Sequence, residues 1–189
     1  MATNIITPPA EYPVTVAEMR DWLHETVSTS QDDVITSNIA SAVDLFEGET
    51  GRKLITQTLE QTEDNFPEAI NFDFLPVISI TSIKYDDDDG TEQTLSSLDY
   101  KLDNSSPNKG WIVPAVGKIW PSTYATAINT VRVQYVAGYG AAAAVPEDIK
   151  NWIKAHAADL YHRRGEISHE SAVNHPYFQR IAAKYRTYR

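Results

Sequence analysis

Val131–Gly165, VRVQYVAGYGAAAAVPEDIKNWIKAHAADLYHRRG, is the stretch on which the reading of the fold turns. Val131, Val133 and Tyr135 alternate with Arg132 and Gln134, the period of two of a half-buried strand. Gly138 and Gly140 interrupt it, and Val145-Pro146 opens a helix. Proline suits the first helical position, where its missing N–H would have had no partner. Glu147 and Asp148 fall in the first turn, where the helix dipole favours negative charge. Ile149, Trp152, Ile153, His156, Ala157, Leu160 and Tyr161 form an apolar stripe at helical spacing. Arg163 and Arg164 close the last turn, and Gly165 is placed to cap it.

Upstream, residues 1–14 carry Pro8, Pro9 and Pro13 and are expected to form an extended arm. Thr15 and Glu18 match a capping box. Val16, Met19, Leu23 and Val27 share one face of a helix over about 16–27. Ser28-Thr29-Ser30 breaks that helix and supplies the next N-cap. A second helix spans about 31–50, opened by Asp32 and Asp33, faced by Val34, Ile35, Ile39, Ala42, Val43 and Phe46, and ended by Gly48 and Gly51.

From Arg52 to Tyr139, β-branched and aromatic residues punctuated by proline and glycine predict short strands. These are Leu54–Glu63, Ala69–Phe74, Ile78–Tyr85, Glu92–Leu95, Tyr100–Leu102, Gly110–Val113 and Thr130–Ala137. Asp89-Gly90 reads as a hairpin turn, and Asn104–Asn108 and Trp120–Asn129 as loops. Pro176 starts a last helix, to about 187, bearing Tyr177, Phe178, Ile181, Tyr185 and Tyr188 among Arg180, Lys184, Arg186 and Arg189. The class is α+β: a bundle of about four helices, two N-terminal and two C-terminal, with an inserted antiparallel β region. The segments are 1–14 (arm), 15–51 (helix pair), 52–140 (β region), 145–165 (core helix) and 166–189 (tail helix), within a single domain.

The chain has 189 residues, no cysteine and a formal net charge of −10. Disulfides and thiolate metal sites are thereby excluded. No basic start followed by an apolar run marks a signal peptide, and no stretch approaches a membrane span. Residues 1–149 hold 8 Lys+Arg against 23 Asp+Glu, whereas residues 150–189 hold 8 against 3. Such asymmetry serves solubility, or provides two surfaces of opposite sign for docking. A net acidic body argues against tight wrapping of nucleic acid, which rests on basic charge.

Motifs for chemistry fail on inspection. Asp86-Asp87-Asp88-Asp89-Gly90 lacks the first and twelfth ligands of a calcium loop, where Tyr85 and Ser96 stand. The like charges predict a tip that is mobile or faces a basic partner. His156, His162, His169 and His175 are six or seven apart and lack the four-residue spacing of a helical zinc site. Gly138-Tyr139-Gly140 precedes a helix opened by two carboxylates, which would repel phosphate. No G-x-S-x-G is present. No metal, cofactor or catalytic residue is assigned. A small metal-dependent hydrolase built from scattered Asp and His remains the alternative from another class.

Three stretches together resemble the head–tail connector, or adaptor, proteins of tailed bacteriophages, including prophage and gene-transfer-agent versions. The first is PAEYPVTVAE (9–18), leading to Thr50-Gly51-Arg52. The second is LPVISITSIKY (75–85), followed by the acidic turn, Gly90-Thr91 and Asp99-Tyr100. The third is VQYVAGYG (133–140), with VPEDIK (145–150) and YHRRGE (161–166). The resemblance implies a structural virion protein without catalysis, in the neck of the particle and in the host cytoplasm during assembly. It implies a ring of about a dozen copies under the portal, extending the DNA channel and offering a platform to stopper or tail-completion proteins. DNA would pass without sequence-specific binding. Another neck or tail-completion role stays open. By analogy Tyr177, Phe178, Arg180, Tyr185, Arg186 and Tyr188 are expected to face the portal. Asp86, Asp87, Asp88 and Asp89 are expected to face the channel or a partner. Truncation at Glu170 is expected to abolish attachment and leave the fold.

Overall fold

The computed structural model describes residues 2–24, 29–124, 127–163 and 176–187. The chain divides into two units, Met1–Pro9 with Thr56–Gly138 and Ala10–Ile55 with Tyr139–Arg189. The first is built of strands and the second of helices, so the fold is α+β.

Among the described residues the first unit has eight strands: β1 (Ala2–Thr7), β2 (Gln57–Glu63), β3 (Ile70–Asn71), β4 (Val77–Asp86), β5 (Glu92–Thr94), β6 (Tyr100–Ser106), β7 (Lys109–Pro114) and β8 (Val131–Ala137). They form a five-stranded sheet, β1-β2-β8-β4-β5, and a three-stranded sheet, β3-β7-β6. All pairings are antiparallel. The alternation read in Val131–Ala137 makes β8 the central strand. Val131, Val133, Tyr135 and Ala137 are fully buried, and Arg132, Gln134 and Val136 only partly. Val133 lies opposite Gln61 on one side and Ile83 on the other. Ile70 and Ile112 of the smaller sheet join Leu59, Ile83 and Val133 in one core. Each such side chain contributes about 1.5–3 kcal/mol when fully buried.

Gln61, fully buried on that face, has its amide satisfied. Its Nε2 donates to the Asn71 carbonyl at 2.8 Å, and its Oε1 accepts from the Asp73 N–H at 3.0 Å. A buried amide so paired ties the two sheets together without leaving an orphan polar group.

The arm expected over 1–14 is extended, but Ala2–Thr7 is a strand added to the edge of the sheet beside β2. Its residues, ATNIIT, have the β-branched character of a strand, which the flanking prolines masked. The loop expected at Asn104–Asn108 is shorter, since β6 runs to Ser106 and β7 starts at Lys109. Pro107-Asn108 makes the turn. The strand expected over Ala69–Phe74 shrinks to Ile70–Asn71.

In the second unit α1 (Val16–Leu23) carries the capping box. The Glu18 N–H donates to Thr15 Oγ1 at 3.2 Å, and the Thr15 N–H to Glu18 Oε2 at 2.7 Å. The helix ends at Leu23, four residues before the expected end, with His24 as its cap in the left-handed region; Val27 lies outside the described residues. In its successor α2 (Asp32–Thr50) the cap position falls on Gln31, one residue after the expected Ser28–Ser30. Thr29–Gln31 form a short 3-10 turn, and the Gln31 side chain makes no capping bond to the helix. The first turn relies instead on Asp32 and Asp33 against the helix dipole, with Arg20 paired to Asp32. Gly48 sits inside α2. Gly51, at φ 67°, ends it, because a residue without Cβ adopts that conformation freely.

In α3 (Glu147–His162), Pro146 stands one position earlier than expected, at the cap. Ile149, Trp152, Ile153, His156 and Ala157 are buried against Ile35, Ile39, Ala42 and Phe46 of α2. Leu160, expected in the stripe, is exposed. Arg164 and Gly165 lie outside the described residues. Finally, α4 (Pro176–Tyr185) starts at the expected proline and buries Ile181 and Ala182 in this core.

Candidate functional site

The acidic turn between β4 and β5 uses its four aspartates unequally. Asp86 forms a two-pronged pair with Arg132, at 2.5 and 3.1 Å, and Glu92 accepts from the same guanidinium at 3.1 Å. Hydrogen bonding from Arg132 holds the Asp86 carboxyl below its ordinary value of 3.8. Asp87 serves the backbone. Its Oδ1 accepts from the N–H groups of Thr91 and Asp89 at 3.0 and 3.1 Å, and its Oδ2 from Gln93 at 2.9 Å. The Thr91 bond leads in lowering its pKa. Gly90 takes φ 77°, as the hairpin requires. Asp88 accepts from the Ser122 hydroxyl at 2.7 Å, and both Asp88 and Asp89 are exposed. The turn is thus hydrogen-bonded around Asp87, and the repulsion anticipated among four like charges is relieved at Asp86 by Arg132.

A pH dependence follows. Because the folded pKa of Asp86 is depressed, its contribution to stability is present above the unfolded value of 3.8 and is lost as pH falls through the folded value. Arg132→Met should remove this component. The gap between the urea midpoints of wild type and variant should be constant well above pH 3.8 and narrow as pH falls below it. A constant gap at all pH values would contradict the assignment.

The residues expected to face a portal divide on α4. Tyr177 is 54% exposed, and Arg180 is also exposed. Phe178 packs inward: its carbonyl accepts from Trp152 Nε1 at 3.2 Å, and its ring meets His156 edge-on at 6.5 Å. Tyr185 is half-buried beside Phe46. Its hydroxyl donates to Asp148 at 2.8 Å, and its carbonyl accepts from Arg52 Nε at 2.5 Å. Burial works to raise the Asp148 pKa, but the Lys184 ammonium and the Tyr185 hydroxyl hold it below the usual range. Arg186 is exposed and donates to the Glu49 carbonyl at 3.3 Å. Tyr188 lies outside the described residues. The packing of Ile181, Ala182 and Tyr185 corrects the expectation that truncation at Glu170 leaves the fold, since it would remove part of the core.

Arg52 is the residue sequence reading passed over. Only 1% exposed, it joins Tyr185 to Tyr139, whose hydroxyl accepts from Nη1 at 3.2 Å. A lone arginine after a helix-ending glycine offered no sign of burial. Glu47 beside it is also buried, bonding Lys53 Nζ at 2.7 Å and the Leu54 N–H at 2.9 Å.

Among the histidines considered as metal ligands, His156 is a core residue stacked on Trp152 at 3.8 Å, and burial pulls its pKa below the usual imidazole value. His169 and His175 lie outside the described residues. Among the described residues no group of three or more His, Asp or Glu is placed to hold a metal. No described helix is long and apolar enough to cross a membrane. The first unit has an open cleft of about 630 Å³, lined by Tyr85, Leu95, Asp99, Lys118 and Trp120.

No family model matches the chain, and no curated protein matches it. Solved structures do. A chain of the neck of an empty GTA particle, determined with C6 symmetry, superposes with a TM-score of 0.83 at 21% identity, covering 100% of this chain and 97% of that one. A chain from the virion of a native gene transfer agent particle gives 0.81 at 22%, and one from the native neck with C12 symmetry gives 0.80 at 22%, with the same coverage. From end to end, the chain has the fold of these gene-transfer-agent particle proteins.

Proposed function

We propose that this chain is a structural, non-catalytic component of the neck of a tailed-phage-like particle. In this reading it is a head–tail connector that forms a ring under the portal, extends the DNA channel and seats stopper or tail proteins. The observation that carries the reading is the full-length likeness to neck chains of symmetric particles. The three sequence stretches that resemble connectors support it. Mass and shape in solution, with and without purified portal, test it. A ring alone or on the portal is expected, and a chain that stays monomeric in both conditions would refute it.

Within this reading the channel role narrows to Asp88 and Asp89, which are exposed, whereas Asp86 is paired with Arg132 and Asp87, partly buried, holds the turn's own backbone. Acidic walls let DNA slide, whereas cationic walls would bind phosphate. Asp88→Lys/Asp89→Lys should slow genome ejection or trap DNA, as read by DNA release from assembled particles. Ejection at the wild-type rate would remove the turn from the channel. The portal-facing role narrows likewise to the exposed Tyr177, Arg180 and Arg186.

A further inference from the structure

We infer that two apolar stretches on opposite edges of the β unit form a head-to-tail contact between copies of this chain, the β1 edge of one meeting the rim beyond β5 of the next. This rests on the ring reading above and names the surface that would close the ring. The unit is acidic, with 12 Asp+Glu against 5 Lys+Arg. Two copies brought together across ordinary surface would meet like charge, which costs several kcal/mol at an interface. Two segments carry little charge of their own, the second lying beside the acidic turn, where the Ser122 hydroxyl donates to Asp88. Residues 1–10 contain no charged side chain, and residues 115–130 contain only Lys118.

The structure sets these places on opposite flanks. β1 is one edge strand of the five-stranded sheet, and β5 is the other. Along β1, Ile5 and Ile6 are exposed, and no lysine, glutamate or internal proline protects the edge, as is usual where pairing must be prevented. Its pairing with β2 is irregular only between Ile5 and Thr7.

On the other flank, Leu98 stands on the connection leaving β5, and Val116 and Ile119 on the long connection after β7. They are 82%, 91% and 89% exposed. Single exposed aliphatic residues are ordinary, but three on adjoining turns are a patch. The turns are pinned together: the Ala115 N–H donates to the Asp99 carbonyl at 2.9 Å, and Lys118 Nζ pairs with Asp99 at 2.9 Å. That pair also neutralises the one charge in the long connection. Because the two surfaces differ, the contact is heterologous and propagates in one direction, which is what a closed ring requires.

The chain has no cysteine, so thiol cross-linking reads this contact directly. Full-length Ile5→Cys and Ile119→Cys chains are concentrated, mixed and treated with a short bismaleimide. The mixture should give dimers, each single variant alone should stay monomeric, and the double variant should give a ladder. Leu98→Asp/Ile119→Asp, at positions too exposed to disturb folding, should weaken self-association about a hundredfold. Absence of mixed dimers, or dimers from Ile119→Cys alone, would overturn the inference. If rings still form by mass in that case, the ring reading survives and only this interface falls. If no rings form with or without portal, both fall.

Discussion

Arg52→Ala is expected to destabilise the helical unit by about 3–5 kcal/mol, a large share of the 5–15 kcal/mol typical of a domain. The side chain is buried and serves groups distant in sequence, the carbonyl of Tyr185 and the hydroxyl of Tyr139. Truncation leaves both without this donor and opens a cavity. An abandoned buried acceptor costs about 1–3 kcal/mol, and the lost packing adds to that. The guanidinium also lies 5.7 Å from the Tyr185 ring centroid. Arg52→Lys should recover only part of the loss, since an ammonium lacks the planar fork. Urea denaturation followed by far-ultraviolet circular dichroism measures the change. An unaltered midpoint would show that Arg52 does not hold α4 in place.

The second large effect concerns attachment. Tyr177→Ala/Arg180→Glu should weaken binding to purified portal by about a hundredfold, because exposed Tyr and Arg pairs often act as binding hot spots. The two positions are three apart on α4 and share a face, and both are exposed, whereas Ala182 on the far side of the helix is buried. Stability should change by less than about 0.5 kcal/mol, as for most surface changes. Phe178→Ala and Tyr185→Ala should do the reverse and lower the melting temperature, since both rings pack inside the helical unit. Wild-type portal affinity of the Tyr177/Arg180 variant would remove α4 from the interface.

These two outcomes mark where sequence stopped being readable. The period of two in Val131–Ala137 and the stripe from Ile149 to Ala157 identify β8 and α3 because burial there follows local periodicity. The capping box at Thr15 and Glu18 is local chemistry and was equally legible. The pairing of β1 with β2 joins residues some 55 apart and leaves no local mark. Arg52 is buried by partners more than 80 residues away. The aromatic and basic helix at the chain end reads the same whether its tyrosines face a partner or the core. Only packing separates Tyr177 from Tyr185. In the same way, a run of four aspartates conceals that one is neutralised by Arg132 and another closes the turn.

Imaging the neck of assembled particles that carry an epitope-tagged copy of this chain tests the account most directly. Tag density should form a ring between portal and tail. A neck of normal structure without the tag, in particles shown to be complete, would contradict it.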